Sequence, residues 1–296
     1  MSHEQKPPQN HGVILGKKDS DYVGAVLPYV VRLLSGVWDP YTPDPIKRWN
    51  IGGDDMLCVT HSDINSLDTQ QIQMTGRANW YKKSHRWIAK MSNTKPDGNR
   101  LDLVADAVRE FGLVPYEMYP DPSEPWDWNE YHKPIPEPLL SQLKAEGQKW
   151  KKQWAVAYEW VDITGIWFGN YANIKKQLRH SPLQIVIPGH AILQVQNMDD
   201  MMRYMDTYAP YFKNQKQNTI THALKIVLNP LKGQTMSNAI LVKKGGEYGF
   251  YAPTINPSNL IGDALHFGLE IPKNPDGSVN FAEVDKLVQG EVIPKP

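Results

Sequence analysis

The sequence predicts an α+β chain, helical in its first half and stranded in its second. Two observations carry this. Up to about Lys152 apolar residues recur at helical spacing, most cleanly from Leu101 to Phe111, where Leu101, Val104, Ala105 and Val108 share one side and Gly112 marks the stop. From Ala155 onward the pattern changes to short apolar runs separated by turn residues. After Pro230 a Gly245-Gly246 pair between two short runs predicts a β-hairpin, the start of a small C-terminal α/β appendage.

Composition narrows the function classes. A chain of 296 residues can bury a large core, as one domain or one plus an appendage. Its 32 Lys and Arg balance 32 Asp and Glu, which argues against a general nucleic-acid binder or a membrane-surface protein. No apolar run approaches the ~20 residues of a membrane span. The stretch Met1 to Gly12 is polar, with no apolar core like that of a signal peptide. One cysteine, Cys58, allows no internal disulfide, and the expected setting is a reducing cytoplasm.

In chain order, residues 1–48 read as a tail and arm, with Tyr22 to Leu34 a short strand or helix broken at Pro28 and Asp39 to Asp44 a loop. A helix is expected to open at Cys58 after the Gly52-Gly53-Asp54-Asp55 turn. Arg77 to Lys90 interleaves basic residues with Trp80, Tyr81 and Trp87. It is expected to be a helix with a basic outer face and an aromatic inner face, in preference to a nucleic-acid platform. A Pro-Asp-Gly turn precedes the Leu101 helix, and Leu113 to Trp128 reads as an irregular loop. Another helix runs from Glu137 to about Lys152. Strands are expected at Ala155 to Val161, Leu183 to Ile187, Ala191 to Val195, Arg203 to Thr207 and Ala223 to Leu228, with a small helix at Ile174 to Arg179. Beyond the hairpin, Asn256 to Phe267 and Phe281 to Val288 read as helices.

An isolated cysteine is most often a small buried hydrophobe. Cys58 stands out because a thiol at a helix mouth meets unpaired N–H groups and a dipole that favour the thiolate and can receive a developing oxyanion. Asp54 and Asp55 oppose this, though as flexible carboxylates they are expected to lie further away than a partner imidazole. His190, heading an apolar strand, and then Asp206 follow 132 and 148 residues after Cys58, residue types that can serve a thiol nucleophile as base and orienting group. An orienting Asp206 would accept a bond from His190, whereas a structural one would cap a turn or meet a lysine. Cys58 and His61 also make a C-x-x-H pair, but no second pair completes a tetrahedral site, so zinc is not expected.

The segments Cys-Val-Thr-His-Ser at 58–62, Trp-Ile-Ala-Lys-Met-Ser-Asn-Thr at 87–94, Ser-Pro-Leu-Gln-Ile-Val at 181–186, His-Ala-Ile-Leu at 190–193 and Asp-Thr-Tyr-Ala-Pro-Tyr at 206–211 resemble, in that order, the papain-like cysteine peptidases in a divergent phage or bacterial form. The resemblance spans roughly 49–230. It departs from the family at Gly52, where a Gln is usual, at Val59, usually Trp, and at Asp206, usually Asn. It implies a two-lobed fold, with a helical lobe carrying Cys58 and a β-rich lobe carrying His190. It also implies hydrolysis of a peptide or isopeptide bond by Cys58, His190 and Asp206, without cofactor or metal. The alternative is a weak or inactive papain-like fold serving assembly, for example of a phage particle in the host cytoplasm or virion. Peptide or protein substrates are the expected partners, and assembly partners would meet the arm at 1–48 or the appendage at 231–296.

Overall fold

The computed structural model describes residues 13–14, 22–23, 32–45, 55–122, 128–231, 240–244, 247–251, 260–261 and 275. In chain order the elements are β1 (Tyr22–Val23), α1 (Cys58–Thr75), α2 (His85–Met91), α3 (Leu101–Phe111), α4 (Trp128–His132), α5 (Glu137–Lys151), β2 (Trp154–Trp160) and α6 (Ala172–Gln177). Then follow β3 (Leu183–Ile187), β4 (His190–Met198), β5 (Met201–Met205), β6 (Phe212–Lys216), β7 (His222–Pro230), β8 (Ile240–Lys244), β9 (Glu247–Tyr251) and β10 (Leu260–Ile261). Helices dominate up to α5 and strands after it, as the sequence predicts, and the class is α+β. One sheet has the order β1-β2-β7-β3-β4-β5-β6 with every pairing antiparallel, and β10-β9-β8 form a second.

The central helix α1 is buried around its whole circumference. Thr60, Asp63, Asn65 and Gln73 are as buried as Val59, Ile64 and Leu67. Part of this polar surface is met by strand groups, through Gln70 and Gln184, while Thr60 Oγ1 and the Asp63 carboxylate are buried without a hydrogen-bond partner among the described residues. Pairing of β3 with β7 stops at Leu183 and Lys225. Beyond that point Gln70 acts as a surrogate strand, its Nε2 donating to Ile226 O and its Oε1 accepting from Leu228 N, each at 2.9 Å. At the other end of the helix Gln184 of β3 donates to Val59 O and Ser62 Oγ, both at 2.8 Å.

Two apolar clusters flank these contacts. One joins Cys58, Val59, Trp87, Val104, Val108 and Leu143 to Tyr158, Leu224, Val186 and Ala191. The other joins Trp38, Ile72 and Leu178 to Ile185, Ile192 and Met202. Neighbours along a strand fall in different clusters, Ile185 against Val186 and Ala191 against Ile192, as the two-residue period of a sheet requires. The arm contributes to this core. Tyr22–Val23 pairs with β2, and Trp38 donates its backbone N–H to Val195 O at the bulge in β4.

Local rules account for the ends of elements. Gly112, at φ +73°, caps α3 where a side chain could not fit, since a Cβ would lie 2.1 Å from Gly147 O of α5. Pro188-Gly189, with Gly189 at φ +75°, closes the two-residue link from Ile187 to His190.

Several expectations need correction. Arg77 to Lys90 is not one helix. A 3₁₀ turn at Arg77–Asn79 is followed by an extended link and then α2, capped by Ser84 Oγ on Trp87 N. Nor does it carry a basic outer face. Lys83 is buried against Asp68 (2.8 Å) and Gln71, and Arg86 is buried with its guanidinium on the carbonyls of Tyr131, Pro120 and Glu130. Asp39–Tyr41 is a 3₁₀ turn, and β6 was not foreseen. Within the helix expected at Asn256 to Phe267, Leu260–Ile261 is instead a strand paired with β9. The helix expected at Phe281 to Val288 lies outside the described residues.

Candidate active site

Cys58 is the first residue of α1, as expected. The turn leading into it is Asp55-Met56-Leu57, in which Leu57 N–H donates to Asp55 Oδ1 at 3.1 Å and Met56 sits at φ +56°. The first N–H groups of any helix have no carbonyl within the helix to meet, and groups of that kind can receive an incoming oxygen.

His190 is the first residue of β4, the strand on which α1 packs, and its neighbour Ala191 belongs to the same apolar cluster as Cys58. Its Nε2 lies 2.8 Å from Asp206 Oδ1. With an ionised Asp206, that bond puts the proton on Nε2 and assigns any chemistry at the ring to Nδ1. Asp206 lies just past the end of β5 and not inside a strand, and its own N–H donates to Tyr211 O.

The aspartate does everything that was expected to separate a functional residue from a structural one. It accepts from His190, caps its turn through Thr207 N (2.7 Å) and Tyr208 N (3.3 Å), and meets Lys213 Nζ at 2.7 Å. Burial alone would raise its carboxyl, but the hydrogen bonds and charges of His190 and Lys213 outweigh that and bring it down to about 2. Asp206 is therefore an anion throughout the physiological range. Cys58 and His190 are each 5% exposed and Asp206 6%, a setting in which a charge meets little screening.

A second polar group, unread in the sequence, adjoins the same turn. Asp55 is not a flexible carboxylate but is 3% exposed, with its Oδ2 3.3 Å from His61 Nε2. His61 Nδ1 in turn lies 2.5 Å from His85 Nδ1 at the start of α2. The C-x-x-H spacing was the one available signal, and it suggested a metal. Among the described residues no group of three or more His, Cys, Asp or Glu is placed to hold one. Gly52 and Asp54 lie outside the described residues. No helix among the described residues is long and apolar enough to cross a membrane.

No family model and no curated protein matches the chain. Solved structures similar to it include digestive procathepsin L 3 of the Tenebrio molitor larval midgut, at 11% identity over 74% of this chain and 76% of that one, with a TM-score of 0.45. Xylellain, a cysteine protease from Xylella fastidiosa, is 14% identical over 76% and 99%, at 0.44. A Carica candamarcensis cysteine protease in complex with E-64 is 11% identical over 64% and 96%, at 0.43.

Proposed function

We propose that the chain is a papain-like thiol hydrolase of divergent, phage or bacterial type that cleaves a peptide or isopeptide bond. The observation that carries this is the contact of His190 with Asp206 at 2.8 Å, with His190 heading the strand packed against the helix that begins with the chain's one cysteine. In this reading His190 Nδ1 takes the Cys58 proton, since a free thiol is only a few per cent thiolate at pH 7. The sulfur adds to the carbonyl carbon, and the electron pair driven onto oxygen is received by N–H groups at the start of α1. The imidazolium then protonates the leaving amine, and water, deprotonated by the same nitrogen, releases the acyl group. Asp206 holds the ring in the tautomer that makes each step available.

The rival reading, an inert fold used in assembly, draws on the same aspartate, which has turn and lysine partners sufficient for a purely structural post. Partners under the first reading are peptides or proteins, and under the second they are neighbours met through residues 1–48 or 231–296. One experiment separates the readings. Alkylation of Cys58 by iodoacetamide, followed by intact mass against pH, is expected to show a thiol titrating below the ordinary value of about 8.5, and His190→Ala is expected to abolish that shift. An ordinary titration in the native protein, unchanged by His190→Ala, overturns the hydrolase.

A further inference from the structure

Building on the thiol-nucleophile reading, we propose that Asp55, His61 and His85 are positioning residues, a buried relay that holds the turn before Cys58 so that the first N–H groups of α1 are aimed at the substrate carbonyl. The turn needs such a brace. Leu57, the N-cap of α1, supplies no side-chain cap, and Met56 occupies a left-handed conformation that a bulky residue adopts only when its surroundings impose it. The brace is the Asp55 carboxylate. One oxygen takes the Leu57 N–H and the other is held at His61 Nε2.

Proton counting shows why the third member belongs. An ionised Asp55 requires a proton on His61 Nε2. Two Nδ1 atoms 2.5 Å apart require one proton between them. A His61 protonated on Nε2 can accept that proton from His85 Nδ1, and an imidazolium His61 can donate it. Either way His85 fixes the ring of His61, and the His61 ring fixes Asp55. The rings are tilted by 37° with centroids 4.8 Å apart, the geometry of an edge contact between nitrogens rather than of a stack. The relay ties α2 to the start of α1, so the helix mouth is located by a neighbouring helix as well as by its own cap. Backbone donors to a developing oxyanion must be well placed, and a misplacement of about 1 Å costs on the order of 100-fold.

The test uses two reagents that share the nucleophile and differ in the oxyanion. Iodoacetamide is attacked by sulfur with loss of iodide, and no oxyanion forms. N-acetylglycinal is attacked at its aldehyde carbon. A C–S bond forms and the carbonyl π pair moves to oxygen as an alkoxide, while the proton that left the thiol is held on His190 Nδ1. Its affinity is read as protection of Cys58 from iodoacetamide, by intact mass, with Cys58→Ala as the blank. Asp55→Ala and His61→Phe are expected to weaken the aldehyde roughly 10- to 100-fold, with the iodoacetamide rate within about threefold of native.

Asp55→Asn is expected to restore most of the affinity. Its Oδ1 still accepts from Leu57, and its amide can donate to His61 Nε2 with the proton of His61 moved to Nδ1, so the chain re-forms in the other tautomer. Equal changes in both reactivities, or none in either, in variants whose thermal midpoints show them folded, overturn the proposal. If the two stronger variants do not fold, His85→Phe, which leaves the Asp55–Leu57 bond in place, decides alone. A selective aldehyde loss of about 3- to 10-fold supports the relay, and none overturns it. Failure of the underlying reading looks different, because His190→Ala would then change neither reactivity.

Discussion

Two histidine–aspartate pairs among the described residues are built in opposite ways. His190 and Asp206 come from the head of a strand and the loop after another, while Asp55 and His61 come from one turn and the helix it opens. The Asp206 carboxylate is saturated by two backbone N–H groups and Lys213, which leaves its imidazole one well-defined job. The Asp55 carboxylate spends one oxygen on Leu57, and its imidazole goes on to a second imidazole. A pair anchored by charge fixes a tautomer. A pair anchored by a chain of hydrogen bonds fixes a backbone.

The sharpest way to break this comparison is to remove each ring. His190→Ala is expected to lower acylation of Cys58 by about 10²- to 10⁴-fold, measured with a thiol-reactive peptide probe, whereas His61→Phe should act chiefly on reagents that form an oxyanion. Asp206→Ala comes next. This carboxylate also caps a turn and neutralises Lys213. Loss of about 2–3 kcal/mol of stability is therefore expected beside the loss of activity, read as a lowered thermal midpoint. Asp206→Asn should keep the bond from His190 and lose mainly the lysine.

Acid should expose the same anchor more gently. The folded pKa of Asp206, about 2, lies below its unfolded value near 4, so the unfolded chain binds the extra proton first. Its contribution, on the order of 2 kcal/mol, is complete above the unfolded pKa and is lost as pH falls from about 5 through 2. Urea titrations across that range should show this loss in the native protein and not in Asp206→Asn. A structural control lies on α5, which contributes to neither pair. A Cβ on Gly147 would meet Phe111 O at 2.0 Å, so Gly147→Ala should cost about 1–3 kcal/mol and leave Cys58 reactivity unchanged. The smallest effect has the opposite sign. Asp63 is buried on α1 with no hydrogen-bond partner among the described residues, and burial raises its carboxyl well above the usual range. Asp63→Leu should stabilise the fold by about 1 kcal/mol, read as a raised thermal midpoint.

What the sequence made legible follows from these contrasts. Leu101–Phe111 could be read to the residue because an apolar stripe and a stop glycine are local signals, and Leu183–Ile187 because a buried strand is a short apolar run. Phe212–Lys216 was invisible. Its Lys-Asn-Gln-Lys is polar on both faces, and only pairing with β5 at the sheet edge makes it a strand. The buried lysine and arginine of 83–86 were assigned to solvent because charge predicts exposure until a carboxylate or a set of carbonyls is brought to it from elsewhere. Cys58, His190 and Asp206 could be read because their residue types are uncommon in that order. Asp55, His61 and His85 could not, since nothing in the spacing of 61 and 85 says that two helices cross there.

The amide of Gln70 keys α1 into β7, and that of Gln184 keys its first turn to β3. A helix held at both points can neither slide nor turn, so the number of residues between Val59 and Gln70 is itself a catalytic dimension in the proposed enzyme. One residue inserted or deleted there would swing Cys58 by about 100° around the axis while leaving Gln70 in its socket. The surface loops can lengthen without touching that alignment, and this helix cannot.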